Sequence, residues 1–196
     1  MNQVTKRYQA ASEKISDQTY LPKEAIALIK QTATAKFDES IELVVRLGVD
    51  PRKSDQVVRG ASQLPHGTGR AVRVAVITNQ PEDQAKALEL GAKSAGFEEL
   101  IEAMKGGELP YDVVIAAQET MPVVGKLGQV LGPKGLMPNP KVGTVTTNVI
   151  AALQSALKGQ VMYRTDKSGQ IHCAVGKASF NDQSIYDNIA HLMSDL

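Results

Sequence analysis

Tryptophan is absent from this chain of 196 residues, aromatic residues make up only 4%, and there is one cysteine. A lone thiol, Cys173, excludes an internal disulfide and any cysteine-cluster metal site, so a reducing compartment is the default. Long apolar runs are also missing; none approaches the ~20 residues a membrane helix needs. The segment from Met1 to Tyr8 is polar and basic, with no apolar stretch behind it, and does not read as a secretory signal. His66, His172 and His191 lie far apart without metal-ligand spacing, and no carboxylate pair stands out. No catalytic residue, metal or cofactor is therefore expected.

The net charge of +1 conceals an uneven distribution. From Gln80 to Glu119 nine acids face three bases, a sum of −6. From Thr120 to Thr165 there are no acids, and Lys126, Lys134, Lys141, Lys158 and Arg164 give +5. A polyanion responds to the local field, so this asymmetry weighs more than the total. A length of 196 residues fits one domain or two small ones.

The pattern predicts a helix around Lys6 to Lys14 and a second beginning near Pro22. Ile41, Leu43, Val45, Leu47 and Val49 then alternate with mostly polar neighbours, as in a half-buried strand, and Asp50-Pro51 ends it. Leu64 to Arg70 reads as a connection. Strands at Val72–Ile77 and Val113–Ala117, with helices at Pro81–Leu90 and Phe97–Met104, indicate a small parallel α/β layer. A Gly/Pro-rich segment from Gly125 to Thr144 precedes a helix over about Thr147–Leu157. Finally, Val161, Tyr163 and Thr165 and then Ile171, Cys173 and Val175 form the inward positions of an expected hairpin. A three-residue loop, Lys167 to Gly169, would pair Val161 with Val175 and Tyr163 with Cys173, with Gly169 left-handed. That register places Arg164 opposite His172 on the outer face. A last helix covers about Asp182 to Met193, capped by Asn181 or Asp182.

Three groups invite a chemical reading. Phe37 beside Lys36 could stack on a base or ribose while the lysine meets a phosphate; as a large apolar ring it could equally be core. Arg164, Asp166, Lys167, Ser168 and His172 could hold phosphates and ribose hydroxyls, or form a solvated hairpin tip. In the Gly/Pro segment, Lys134 follows Pro133 and no Ser or Thr comes next, so the phosphate-loop template fails. The dinucleotide fingerprint fails as well, because Gly67 and Gly69 precede the strand without a third glycine in step. A rigid connection, a basic contact loop or a small-ligand or nucleotide-binding α/β protein remain open readings.

Several runs together resemble a known family. Lys36 to Ser40, Leu47 to Gln56, Arg59-Gly60, Leu64 to Gly69, Leu127 to Lys141 and Tyr163 to Gly169 with Ile171-His172 are similar to the bacterial-type L-one family of large-subunit ribosomal proteins, in order and spacing. The resemblance covers essentially the whole chain, and its Gly/Pro run is the most specific part. It implies an α/β (α+β) fold in two domains. A discontinuous RNA-binding domain would comprise residues 1–67 and 159–196, with a Rossmann-like domain inserted at 68–158. It further implies a structural, non-enzymatic role at the mobile stalk of the large subunit. The partners so implied are stalk ribosomal RNA, exit-site tRNA and the protein's own mRNA, which it would repress. Off the ribosome a monomer is expected, in the cytoplasm or a plastid stroma, with no membrane partner. RNA-binding residues carried over are Lys36, Phe37, Glu39 and Ser40 with Arg164, Asp166, Lys167, Ser168 and His172; Arg52, Lys53, Lys134 and Lys141 are secondary contacts. Family members continue with a further strand bearing a Thr-Met-Gly-Pro type motif. This sequence ends at Leu196 without it, as a fragment or a shortened member would.

Overall fold

A computed structural model describes residues 5–107 and 109–196. The chain opens with α1 (Lys6–Ser12), α2 (Pro22–Thr32), β1 (Ser40–Arg46) and β2 (Arg59–Gln63). It continues through β3 (Val74–Ile77), α3 (Pro81–Glu89), β4 (Ser94–Gly96), α4 (Glu98–Lys105) and β5 (Val113–Ala117). Two short helices, α5 (Met121–Val124) and α6 (Gly128–Leu131), lead to β6 (Val145–Thr146) and α7 (Val149–Leu157). It closes with β7 (Gln160–Arg164), β8 (Gln170–Lys177) and α8 (Asp182–Asp195).

The fold is mixed α/β in two parts. In the central part, four parallel strands run in the order β4-β3-β5-β6. Every side chain of β3 is buried, as a strand covered on both faces requires. One face packs on α4, Leu127 and Leu131, the other on Ala87 of α3 and Leu153 of α7. The outer part draws on both ends of the chain. β1 pairs antiparallel with β8, β2 pairs antiparallel with β7, and α2 and α8 supply Ile26, Ile185 and Leu192 to the same core.

Local chemistry explains the helix starts. Pro22 opens α2, where its missing N–H costs nothing, and Glu24 Oε2 accepts the Leu21 N–H at 3.3 Å. Asn148 caps α7 and Asn181 caps α8, each accepting a backbone N–H three residues on. In α8, the fully buried Asn188 uses its whole amide: Oδ1 accepts from His66 N–H at 3.0 Å, and Nδ2 donates to the carbonyls of Gly67 and Val175 at 2.9 and 2.8 Å. This amide ties the outgoing connection to the outer part.

The chain passes between the parts twice, near Gly67 and near Gly159. These backbones touch: a Cβ on Gly159 would lie 2.4 Å from the Gly67 Cα, and both residues have positive φ. Only glycine fits such an approach at such dihedrals.

The predicted elements appear with ends shifted by a few residues, α8 running on to Asp195, and the expected hairpin differs in its pairing. β7 and β8 share hydrogen bonds only at their turn, where Asp166 N–H donates to the Gln170 carbonyl at 2.8 Å. Beyond it β7 follows β2 and β8 follows β1, so Val161 pairs with Ser62 and Cys173 with Leu43. The inward set is as expected: Val161, Tyr163, Ile171, Cys173 and Val175 are all buried. Alternation specifies which face is buried, but any partner strand preserving that face satisfies it equally. Accordingly Arg164 stands opposite Arg59, and His172 opposite Val44.

Candidate nucleic-acid interface

β1 leads from one predicted group to the other. Its start carries Lys36 to Ser40; its end, Arg46, pairs with Gln170 beside the 165–169 turn. Seven strand residues separate the two loops by about 20 Å. Between them the outer face presents Glu42 beside Ala174, Val44 beside His172 and Arg46 beside Gln170.

At the first loop, Phe37 is 73% exposed, which removes the alternative that it is core. Lys36 is exposed beside it. The acidic and hydroxyl neighbours hold the loop in shape. Glu39 Oε1 accepts the Ala35 N–H at 2.5 Å, and Asp38 accepts both the N–H and the hydroxyl of Ser179 at 3.0 and 2.7 Å. Ser40 Oγ accepts from Lys177 Nζ at 2.7 Å. Glu39 and Ser40 thus carry positioning contacts within the protein, and the ring is left standing on the surface.

At the second loop, Asp166 organises the turn. Its Oδ1 accepts the N–H groups of Ser168 and Gln170 at 2.7 and 2.9 Å. The Gln170 N–H above all holds this carboxyl below its ordinary range, and His172 Nε2 lies 3.5 Å from Asp166 Oδ2. Gly169 takes the left-handed conformation expected of it, with φ 73. A Cβ there would sit 3.0 Å from the Val49 carbonyl, so the turn lies against the 47–51 connection. That contact brings the exposed Arg52 and Lys53 to the same end as Lys167, Ser168 and Arg46. The Arg52 backbone N–H donates to Asp50 Oδ1 at 3.1 Å, and its side chain is exposed. Among the described residues, Lys36, Arg46, Arg52, Lys53, Arg164 and Lys167 form no ion pair within 4.0 Å. Solvated cations of this kind suit phosphates more than they stabilise a fold.

Arg59 was not among the sequence candidates, and it lines a cleft with Asp112, Gly135 and Leu136 of the central part. It lies half-buried on β2, directly across the ladder from Arg164. Like charges facing each other in a sheet are destabilising unless an anion is shared between them. No pattern marks Arg59, because its partner strand is more than 100 residues away in sequence.

The remaining candidates lie on the central part. Lys134 and Lys141 are exposed on the Gly/Pro segment. That segment is a packed shoulder of the central part: Leu127 and Leu131 are fully buried, and Leu136 and Met137 rest on the same core. Its backbone donors are spent internally, with Asn139 N–H on Thr144 Oγ1 and Lys141 N–H on Asn139 Oδ1, both at 2.8 Å. It forms no phosphate cradle. The sheet's switch point, between β3 and β5, is equally unsuited to nucleotide. Its first connection, Thr78-Asn79-Gln80, contains no glycine and is followed by Pro81, Glu82 and Asp83. Gln84 Nε2 closes it by donating to the Thr78 carbonyl at 2.7 Å. Cys173 is buried, which pushes its thiol up to about 11, the opposite of what a nucleophile needs. No group of three or more His, Cys, Asp or Glu able to hold a metal occurs among the described residues, and no helix there is long and apolar enough to cross a membrane.

Known proteins resemble this chain closely. The family model described as Ribosomal protein L1p/L10e family matches residues 29–196. The large ribosomal subunit protein uL1 of Coxiella burnetii (strain RSA 331 / Henzerling II) is 54% identical over 194 residues, covering 98% of this chain and 83% of that one. The protein of the same name from Legionella pneumophila (strain Corby) is 53% identical over 197 residues, covering 100% and 85%. Identity of this extent spans both parts of the fold and each loop described above. The chain belongs to the L1p/L10e family of ribosomal proteins, and it is a structural ribosomal protein rather than an enzyme.

Proposed function

We propose that this protein binds ribosomal RNA of the large subunit through the outer face of β1 and β8 and the two loops at its ends. One observation carries the reading: an exposed aromatic ring at one end and unpaired cations at the other flank a single strand pair. Phe37 would stack on a base or ribose, Lys36, Arg46, Arg52, Lys53, Arg164 and Lys167 would meet phosphates, and Ser168 and His172 would reach ribose hydroxyls. Asp166, Glu39 and Ser40 would hold the loops in place. Lys134 and Lys141, on the central part, would make outlying contacts. The stretch without acids from Thr120 to Thr165 supports an electrostatic mode.

In this reading residues 1–67 and 159–196 form the RNA-binding domain and 68–158 an inserted domain. The same face would serve at the mobile stalk of the large subunit, in the cytoplasm. There the protein would assist release of deacylated tRNA from the exit site. It would repress its own messenger where that RNA offers a similar structure. Each partner would contact one copy of the chain, a monomer off the ribosome.

The test is a gel shift with the stalk fragment of large-subunit RNA across a salt series. Binding should weaken steeply as salt rises, and unlabelled messenger leader should compete. A folded protein that ignores the fragment in dilute buffer overturns the reading; failure of the leader alone removes only the repressor role.

A further inference from the structure

We propose that α1 is an additional RNA-binding arm, docking on backbone phosphates next to the RNA held by Phe37. This rests on the function proposed above and extends it to a segment that neither the sequence patterns nor the family model, which starts at residue 29, assigns.

The fold gives α1 no reason to exist. It contributes no buried residue, and six of its seven residues are exposed. A helix this short, without a packed face, is marginal in water. Its composition rules out the usual partners for a bare helix: Lys6, Arg7, Tyr8, Gln9, Ala10, Ala11 and Ser12 offer no apolar stripe for a protein groove or a lipid surface. What it offers is charge. Lys6, Arg7 and Lys14 stand against one acid, Glu13, across residues 5–14. Lys6 and Arg7 occupy the first turn, where the helix dipole disfavours cations and no acidic residue offsets them. Neither pairs with a carboxylate among the described residues. Cations kept at an unfavourable end of an unpacked helix fit a polyanion outside the protein. Tyr8, 65% exposed, adds a ring able to stack beside them.

The position fits as well. Lys14 Nζ donates to the Gln31 carbonyl at 3.3 Å, on the last turn of α2, and the Phe37 loop begins at Ala33. α1 is therefore tethered at the Phe37 end of the proposed face. At 1.5 Å per residue, Lys6 and Arg7 lie roughly 10 Å along the helix from that anchor. An RNA seated on Phe37 would meet the arm on its flank.

The experiment compares four forms of the full chain binding the stalk fragment of large-subunit RNA over a salt series: wild type, Lys6→Ala with Arg7→Ala, Lys6→Arg with Arg7→Lys, and Lys86→Ala with Lys105→Ala. The last removes equal charge from the central part. The alanine arm variant should bind roughly tenfold or more weakly in dilute salt, with a slope shallower by about two. The charge-preserving swap should restore binding, and the central variant should match wild type. Because α1 buries nothing, all four should melt together. If wild type binds and the alanine arm variant binds equally with the same slope, the arm is not a contact, while the Phe37 face stands. An equal loss in the central variant would reduce the effect to net charge and overturn the proposal. If wild type itself fails to bind, the proposed function falls first.

Discussion

Arg59 and Arg164 face each other across the β2–β7 ladder, two cations at one register position, neither in an ion pair within 4.0 Å among the described residues. Their repulsion is tolerable in the free protein and useful to a phosphate. Arg59→Ala should leave the melting temperature unchanged or slightly raised. RNA affinity should fall, with a salt slope shallower by about one. Thermal melting and a gel shift at several salt concentrations read both effects; an unchanged slope removes Arg59 from the interface.

Phe37 predicts a separation of binding from folding. Its ring is mostly in water, so Phe37→Ala forfeits little burial and should melt within a degree or two of wild type. If the ring stacks on RNA, the same change should cost about 1–3 kcal/mol of affinity. Calorimetric titration beside a melting scan decides: a large loss of stability would mean the ring packs on the protein.

Asn188 predicts the reverse. Asn188→Ala removes three hydrogen bonds at once, leaving the buried Val175 carbonyl and the part-buried Gly67 carbonyl and His66 N–H without that partner. A destabilisation of about 2 kcal/mol or more is expected in urea unfolding. RNA binding of the fraction still folded should be little changed, because the residue lies behind the sheet.

Asp112 supplies a pH dependence. Its carboxylate accepts from Arg73 Nε at 2.9 Å and from Arg70 Nη2 at 2.7 Å, and the Arg73 hydrogen bond leads in lowering its pKa from 3.8 to about 2. The folded state thus binds this proton less readily than the unfolded state. The resulting stability is complete above pH 4 and disappears as pH falls through about 2. Discounted for the exposed arginines, it is about 1–2 kcal/mol. Urea midpoints for wild type and Asp112→Asn should differ at pH 6 and converge near pH 2; a constant gap would contradict the assignment.

What the sequence could show follows from which forces are local. The alternation of Ile171, Cys173 and Val175, the cap at Asn181 and the left-handed Gly169 all depend on near neighbours, and each is readable in order. β2 is not. Arg59-Gly60-Ala61-Ser62-Gln63 has no strand propensity to announce it, and it becomes a strand only because β7 pairs with it. Gly60 is fitted to the Tyr163 ring, whose hydroxyl would lie 2.6 Å from an added Cβ, a constraint invisible until the two strands meet. The face itself was half legible. Residue types at the two loops could be named, but alternation could not tell that one strand pair joins them. Nor could it tell that Asp166 and Glu39 would turn inward to their own backbones.

The meeting of Gly67 and Gly159 gives the molecule a single doorway. The chain enters and leaves the central part at one spot, so removing that part would leave two cut ends close together. Splicing residue 67 to residue 159 through a dipeptide should therefore yield a short continuous chain whose core, from Ile26 to Leu192, is already closed.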